Sequence, residues 1–138
     1  MDGVTEGQRP FAQPADVASG WTVRDPAHIT LAEVMENVSP TMLIGTSGQG
    51  GAFTRDIVAP MAARSARPVI FALSNPTANI EAMPQDLLEW THGRALIGTG
   101  GPFAPVSYAG SSRPVDRSTI PTFFPAWGWR WWQAALRA

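Results

Sequence analysis

Residues 40–77 decide the fold, and they read PTMLIGTSGQGGAFTRDIVAPMAARSARPVIFALSNPT. The short apolar run 41–44 predicts a β-strand. The run is broken at 45–51, where four glycines and two hydroxyl residues favour a turn. A second apolar run, 69–73, has no polar alternation, which is typical of a strand covered on both faces in a parallel sheet. The stretch therefore predicts two strands separated by a glycine-rich turn and a connection.

That connection is predicted to be an α-helix over 53–63. Apolar side chains recur there at helical spacing, and they are Phe53, Ile57, Val58 and Met61. Arg67 and Pro68 are expected to end the connection, because the residue before a proline is pushed out of the helical region. Residues 74–77, Ser-Asn-Pro-Thr, then predict a turn after the second strand.

The flanking sequence continues the alternation of helix and strand. Thr30 and Glu33 predict a capping box at the start of a helix. The expected apolar face of that helix consists of Leu31, Val34, Met35 and Val38. Pro84 fits the first turn of a further helix, where a missing N–H is harmless, and residues 95–99 predict a third strand.

The resulting order predicts an α/β fold, namely a partial Rossmann-like (doubly wound) parallel sheet with flanking helices. Crossovers of this kind connect parallel strands with right-handed geometry. Residues 1–24 are expected to be irregular, with at most one helical turn near 15–18. The turns after Ile44, Leu73 and Gly98 lie at the carboxyl ends of parallel strands, where ligands bind in such sheets.

Composition and charge exclude several classes of protein. The 138 residues have a net charge of −1 and no basic run, which argues against nucleic acid as a partner. No long apolar run predicts a membrane span, so no membrane partner is expected. The absence of cysteine excludes disulfides and thiolate metal sites. A cytoplasmic protein is the expectation, and all of its basic side chains are arginine because the sequence contains no lysine.

Two loops are candidates for binding. Glycines at 45–51 let the backbone approach a phosphate or a ring closely, although no lysine follows as in a phosphate-binding Walker loop and no G-x-G-x-x-G register is present. A turn that merely needs glycine explains the same residues. Asn75 can donate to a carboxylate and accept from a hydroxyl at once. The alternative for Asn75 is an Asx-turn that only reverses the chain.

Other polar residues carry no clear chemistry. His28 and His92 are isolated from other metal-ligating residues and are interpreted as solvated loop histidines. Tyr108 is the only tyrosine and lies among Pro, Ser and Gly, and no catalytic role is assigned to it. The remaining carboxylates of this region are interpreted as ordinary surface groups, and they are Asp56, Glu81, Asp86 and Glu89.

Taken together, four segments resemble malic enzyme. They are residues 40–54 and 68–77, then 86–95 with DLLEWTHGRA, and 98–103 with GTGGPF. The phrase LSNPT at this distance after IGTSGQGGAF is specific to that family. The resemblance runs from about residue 7 to about residue 116.

The resemblance implies oxidation of malate with NAD or NADP, followed by decarboxylation to pyruvate. Asn75 matches the family asparagine that contacts the substrate beside the nicotinamide. The cofactor-binding residues that the resemblance implies are Thr46, Ser47, Gly48, Ser74 and Asn75. In the family, Mg or Mn acts as a Lewis acid on the substrate oxygen. Malate is thus the implied partner, and the family's general oligomerisation implies association with further copies.

The resemblance also identifies missing parts. The family's catalytic tyrosine and lysine, its acidic metal ligands and its G-x-G-x-x-G fingerprint all belong upstream of the matched segment. No metal ligand and no catalytic residue are therefore assigned here. The chain is interpreted as a fragment that is inactive alone. The alternatives are a non-catalytic module that binds a nucleotide or carboxylate, and an interaction protein.

Residues 118–138 depart from the family. Thr119 and Ile120 stand where the family has asparagines, and four tryptophans crowd into 127–132. A reading-frame slip explains this change, with 1–117 as the partial NAD(P)-binding domain and 118–138 as a divergent tail. The alternative is that the tryptophans form an aromatic patch that binds a partner or lies at a membrane interface.

Overall fold

The computed structural model describes residue 6 and residues 9–117. Its α-helices are α1 (Leu31–Val38), α2 (Arg55–Arg64) and α3 (Pro84–Trp90). Its strands are β1 (Met42–Gly45), β2 (Val69–Ala72), β3 (Leu96–Thr99), β4 (Val106–Tyr108), β5 (Ser111–Arg113) and β6 (Asp116–Arg117). Short 3-10 turns span Arg9–Phe11, Ala15–Ala18 and Thr77–Asn79. The predicted alternation is confirmed. The turn expected near 15–18 is present, but the second turn at Arg9–Phe11 exceeds the single turn predicted for residues 1–24. The tail 118–138 lies outside the described residues.

Helix α1 starts with the predicted capping box. The amide of Glu33 donates to Thr30 Oγ1 at 3.4 Å, and the amide of Thr30 donates to Glu33 Oε2 at 2.8 Å. Of the apolar face expected for this helix, only Met35 is buried, whereas Leu31 and Val38 remain exposed. The cap therefore fixes where the helix starts, while one residue supplies most of its core contact.

Arginine side chains connect the helix ends. The Arg64 guanidinium, in the last turn of α2, donates to the carbonyls of Met35 and Glu36 at 3.2 and 3.1 Å. Arg94, just before β3, donates to the Ala62 carbonyl at 2.6 Å. Each arginine satisfies carbonyls near the end of another helix, where the helix dipole favours a positive charge.

The central sheet is parallel and has the order β1-β2-β3-β6. The first three strands are in phase, so that Leu43 lies beside Ile70, and Ile70 beside Ile97. These residues face a core shared with α1, α2 and α3, to which the predicted helix face contributes Phe53, Ile57, Val58 and Met61.

Among the described residues, nothing covers most of the other face of the sheet. Met42 and Ile44 on β1 are 51% and 54% exposed, and Leu96 on β3 is 42% exposed. On β2, Val69 and Phe71 are only half-buried. The sequence predicted a strand covered on both faces. Within the described part of the chain, one face of β2 is covered, because all three helices pack against the same side.

A hairpin, β4–β5, follows β3 and was not predicted. Its turn places Ala109 and Gly110 at φ values of 51° and 76°, and β4 pairs antiparallel with β5. The ring of Tyr108 lies against Gly93, where a Cβ would meet Tyr108 Cδ1 at 2.6 Å. This hairpin therefore packs beside the loop that ends α3 and does not extend the parallel sheet.

Candidate functional site

The three predicted turns meet at one edge of the sheet. Because β1, β2 and β3 are parallel, the glycine loop 46–51, the turn at Ser74-Asn75-Pro76 and the pair Gly100-Gly101 all follow carboxyl ends of strands. We call this region the strand-end crevice, and its residues are Thr46, Ser47, Gly48, Ser74, Asn75, Gly100 and Gly101. The sequence prediction of a crevice at this edge is consistent with this topology.

Asn75 lies over the third turn. A Cβ at Gly100 would be 2.8 Å from Asn75 Nδ2, and one at Gly101 would be 3.1 Å from Asn75 Oδ1. The carboxamide therefore rests on backbone that has no side chains, at the tips of β2 and β3. Asn75 itself is exposed. Such a group is positioned to donate to one ligand atom and accept from another.

The interpretation of Glu81 from the sequence is wrong. Interpreted there as a surface carboxylate, it is 0% exposed. Its Oε1 accepts from the Ser47 amide at 2.8 Å, from Ser47 Oγ at 3.0 Å and from Ser74 Oγ at 2.5 Å. Its Oε2 accepts from the Ser74 amide at 3.3 Å. Because four donors hydrogen-bond to it, this buried carboxylate has its acceptor capacity satisfied despite the loss of water.

We call this arrangement the Glu81 clamp, and it consists of Glu81, Ser47 and Ser74. The Ser74 hydroxyl also accepts from the Gly48 amide at 2.9 Å, and the Ser47 hydroxyl accepts from the Gln49 amide at 3.1 Å. Each hydroxyl thus donates to the carboxylate and accepts from the loop backbone. The clamp thereby links the loop after β1 to the turn after β2.

Two opposing effects set the ionisation of Glu81. Burial raises the pKa of the Glu81 carboxyl, but the hydrogen bonds from Ser74 and Ser47 outweigh burial and lower the pKa below its ordinary value. The group is therefore an anion at neutral pH, and an acceptor with both oxygens.

The sequence offers one weak signal for this burial. Glu81 lies between Ile80 and Ala82, which are both buried. In addition, a Cβ at Gly45 would be 2.6 Å from Glu81 Cδ and 2.7 Å from Phe53 Cζ. Glycine at 45 is thus required so that Glu81 can approach β1. That requirement depends on contacts across the fold, which no local pattern contains.

The amides of the glycine loop point inward. The amides of Ser47 and Gly48 donate to the clamp, and those of Gly51 and Phe53 donate to the carbonyls of Ile80 and Glu81 at 3.0 and 2.9 Å. Amides engaged in this way are not available to cradle a phosphate. Glycine at 48 serves the turn instead, since its φ is 68° and a Cβ there would meet nothing within 4 Å.

The residues of the crevice differ in exposure and in hydrogen bonding. Thr46, Ser47, Gly48 and Asn75 are exposed, while Ser74 is buried. The polar groups of Ser47, Gly48 and Ser74 are, however, engaged in the hydrogen bonds of the Glu81 clamp. The structure thus brings the predicted residues to one edge of the sheet, and these residues fall into two groups that differ in their hydrogen bonding. Thr46 and Asn75 are therefore the candidates for contact with a ligand, whereas Ser47, Gly48 and Ser74 shape the backbone.

A separate concavity lies on the other side of the loop. It has a volume of about 290 Å³ and is lined largely by apolar atoms of Phe53, Ile80, Ala82, Met83 and Trp90. None of the predicted site residues lines it. Thr54, Arg55 and Asp86 also line it, but most of its surface is apolar. The strand-end crevice therefore remains the better candidate for a polar ligand.

No metal centre is evident within residues 6 and 9–117, where no three His, Asp or Glu side chains lie close enough to hold an ion. His28, interpreted from the sequence as isolated, instead pairs with Asp25 at 2.8 Å on the surface, and His92 is exposed. The described residues therefore do not fit the Mg or Mn site that the resemblance implies. The same residues contain no helix long and apolar enough to cross a membrane.

A parallel sheet with a crevice at its strand tips, and a glycine-rich turn leading into a helix, defines a partial Rossmann-like α/β domain. The chain belongs to the malic enzyme family. The family model described as "Malic enzyme, NAD binding domain" matches residues 1–135.

Relatives agree with this assignment. The chain is 45% identical over 121 residues to an NAD-dependent malic enzyme of Acinetobacter baylyi and 47% identical over 121 residues to one of Aeromonas hydrophila, covering 88% of this chain and 21% of each relative. It is 45% identical over 129 residues to NAD-dependent malic enzyme 3 of Bacillus subtilis, covering 93% of this chain and 23% of the relative. The chain thus spans about a fifth of the length of the curated relatives it matches.

Proposed function

We propose that this chain is a segment of an NAD-dependent malic enzyme, and that its strand-end crevice forms one side of the cofactor and substrate site. Membership of the family is the observation that carries the proposal. The relatives are named NAD-dependent malic enzymes, which favours NAD over NADP as the cofactor and malate as the substrate.

The residues of the crevice fit one wall of a dinucleotide site. Bound NAD supplies a hydride acceptor. Thr46 offers an exposed hydroxyl, and Asn75 offers a carboxamide that donates to a carboxylate of the substrate while accepting from its hydroxyl. Ser47, Gly48 and Ser74 act by shaping the backbone on which the cofactor rests.

We expect the chain to be inactive alone. Malate oxidation needs a base for the hydroxyl proton, and the sequence contains no lysine to fill the role that the family gives to lysine. The described residues also lack a site for the divalent cation. Binding of cofactor and substrate without turnover is therefore the expected behaviour.

The test combines calorimetric titration of the 138-residue chain with NAD and NADP and an assay of malate-dependent NADH formation. We expect NAD binding, weaker NADP binding and no turnover. The Asn75→Ala variant should keep NAD binding within about threefold and should weaken malate binding to the NAD complex by roughly tenfold, the loss expected for hydrogen bonds to a charged ligand. The matched control is Gln13→Ala, which removes an exposed carboxamide of the lead-in.

Turnover by the isolated chain would contradict the assignment of a silent fragment. Absence of NAD binding in the intact chain would contradict the assignment of the crevice. Equal malate affinity of the Asn75→Ala and Gln13→Ala variants would remove Asn75 from the substrate site.

We also propose the boundaries 1–117 for the partial domain and 118–138 for a tail changed by a reading-frame slip. The loss of the family's asparagines at 119 and 120 supports this proposal. The nucleotide sequence of the gene tests it, because a slip requires that another frame encode asparagines and glycines there. A cytoplasmic location and association with further copies complete the proposal by analogy with the family.

A further inference from the structure

Glu81 and its neighbour Ile80 hydrogen-bond to the glycine loop and to Phe53 beyond it. The Glu81 side chain accepts a hydrogen bond from the Ser47 amide near the start of the loop, and the Glu81 carbonyl accepts one from the Phe53 amide, two residues beyond the loop, at 2.9 Å. The neighbouring Ile80 carbonyl receives the Gly51 amide at 3.0 Å. The segment 80–81 therefore holds the loop at three points, although it is 34 residues distant from Ser47 in sequence.

The same side chain also holds the next turn. Ser74 donates to Glu81 through both its hydroxyl, at 2.5 Å, and its amide, at 3.3 Å. Asn75 is the next residue, so the direction of its carboxamide depends on where Ser74 is fixed. One carboxylate thus connects the two turns that carry Thr46 and Asn75.

The chemistry of the clamp requires a carboxylate. Its four donors are divided between Oε1 and Oε2, so that both oxygens must accept. Only an ionised carboxylate accepts with both oxygens; in glutamine, an amide N–H₂ would face the amide of Ser74. The donors are all neutral groups, and the charge is stabilised by hydrogen bonds alone.

We propose that Glu81 is a positioning residue that sets the relative geometry of the glycine loop and the Ser74-Asn75 turn, and thereby the affinity of the strand-end crevice for a dinucleotide. The identity of the ligand rests on the proposed function. The mechanical part, in which Glu81 holds Ser47, Gly48 and Ser74 in place, rests on the hydrogen bonds among these residues alone.

The test uses the Glu81→Gln variant of the full chain and two measurements. In the absence of ligand, hydrogen exchange followed by NMR should show at least tenfold faster exchange of the Ser47 and Gly48 amides. The glutamine N–H₂ would repel the Ser74 amide, and displacement of Ser74 and residue 81 would weaken the acceptors of these two amides. The Ile57 and Val58 amides in α2 should change much less. In the NAD titration, affinity should fall by tenfold or more.

Two control variants separate positioning from general effects. Glu36→Gln removes an exposed carboxylate on α1 and should leave exchange and affinity unchanged. Ile57→Val lowers stability through the core without touching the clamp, so it should not accelerate exchange of Ser47 and Gly48 selectively. If Glu81→Gln does not fold, the Ser47→Ala variant decides: removal of one clamp hydroxyl should selectively accelerate exchange of the Gly48 and Gln49 amides.

The outcomes are distinguishable. Unchanged exchange of the Ser47 and Gly48 amides in Glu81→Gln would overturn the positioning role. If Glu81→Gln does not fold, unchanged exchange of the Gly48 and Gln49 amides in Ser47→Ala would do so. Faster exchange with unchanged NAD affinity would overturn the link between the clamp and the ligand. If the unmodified chain does not bind NAD, the proposed function and the ligand named here fall together, and the exchange data alone decide whether Glu81 positions the loops.

Discussion

At the scale of single residues, two buried glutamates perform similar tasks at different places. Glu33 accepts from the Arg24 amide at 2.8 Å and from the Thr30 hydroxyl at 2.6 Å, which fixes the lead-in to the start of α1. Glu81 fixes two turns to one another. In both cases the carboxylate is held by neutral donors, and hydrogen bonding to the charged form lowers the pKa.

The ionisation of Glu33 predicts a pH dependence of stability. The backbone hydrogen bond from Arg24 and the hydrogen bonds from Thr30 lower the pKa of Glu33 from 4.5 to about 2. Because the pKa is lower in the folded state, the stabilisation is fully present above about pH 4.5 and is lost as the pH falls toward 2. In Glu33→Gln, the free energy of unfolding measured with urea should therefore change less with pH between about 4.5 and 2 than in the unmodified chain.

The control for this experiment is Glu36→Gln on the same helix, whose side chain is exposed. Its unfolding free energy should fall between pH 5 and pH 2 as steeply as that of the unmodified chain. An equally steep fall in Glu33→Gln would show that the capping box does not link α1 to pH.

The residue scale also shows the limit of sequence reasoning. The positions of Thr46, Ser74 and Asn75 at strand tips follow from the order of strands and turns, and that order is readable from apolar runs and glycines. The burial of Glu81 is not readable in this way, because its partner Ser47 is 34 residues away. A carboxylate becomes internal only once the fold brings donors to it.

At the scale of elements, the spacing of apolar residues and the positions of glycine and proline predict the helices and the strands β1, β2 and β3. The hairpin β4–β5 escapes such prediction because its turn uses Ala109 at φ 51°, a conformation that alanine seldom adopts. The sequence also does not predict which face of the sheet is covered. Apolar runs in β1 and β2 indicate burial, but they do not tell which face the helices of this chain cover.

The two faces of the sheet can be compared with one substitution. Ile70 on β2 is 0% exposed, whereas Ile44 on β1 is 54% exposed. Ile70→Val should lower the free energy of unfolding by about 0.5–1.5 kcal/mol, because it removes a buried methylene from the core. Ile44→Val should change it by less than about 0.5 kcal/mol, as at exposed positions.

Urea denaturation of both variants measures the difference, and each serves as the control for the other. Equal losses for the two variants would mean that the outer face of β1 is covered in solution. That result would contradict the one-sided packing of the described sheet.

At the scale of the whole molecule, residues 9–117 form a buried core on one face of the sheet and leave the other face open. The chain spans about a fifth of its relatives, whose full length contains much more than one sheet face. In the described residues, the open face joins Met42, Ile44 and Leu96 across β1 and β3 with the half-buried Val69 and Phe71 between them. A continuous apolar surface of this kind promotes association.

The open face predicts the behaviour of the purified chain. A Met42→Thr/Ile44→Thr double variant should bind less of the apolar dye ANS and scatter less light at high concentration, because both substitutions remove exposed apolar surface from an edge strand. Threonine keeps the β-branched shape that strands favour, so the fold should be retained. The matched control is Val17→Thr, which changes an apolar residue of the lead-in that is 51% exposed. If the control lowers dye binding as much as the double variant, exposed apolar residues in general, rather than this face, would govern association.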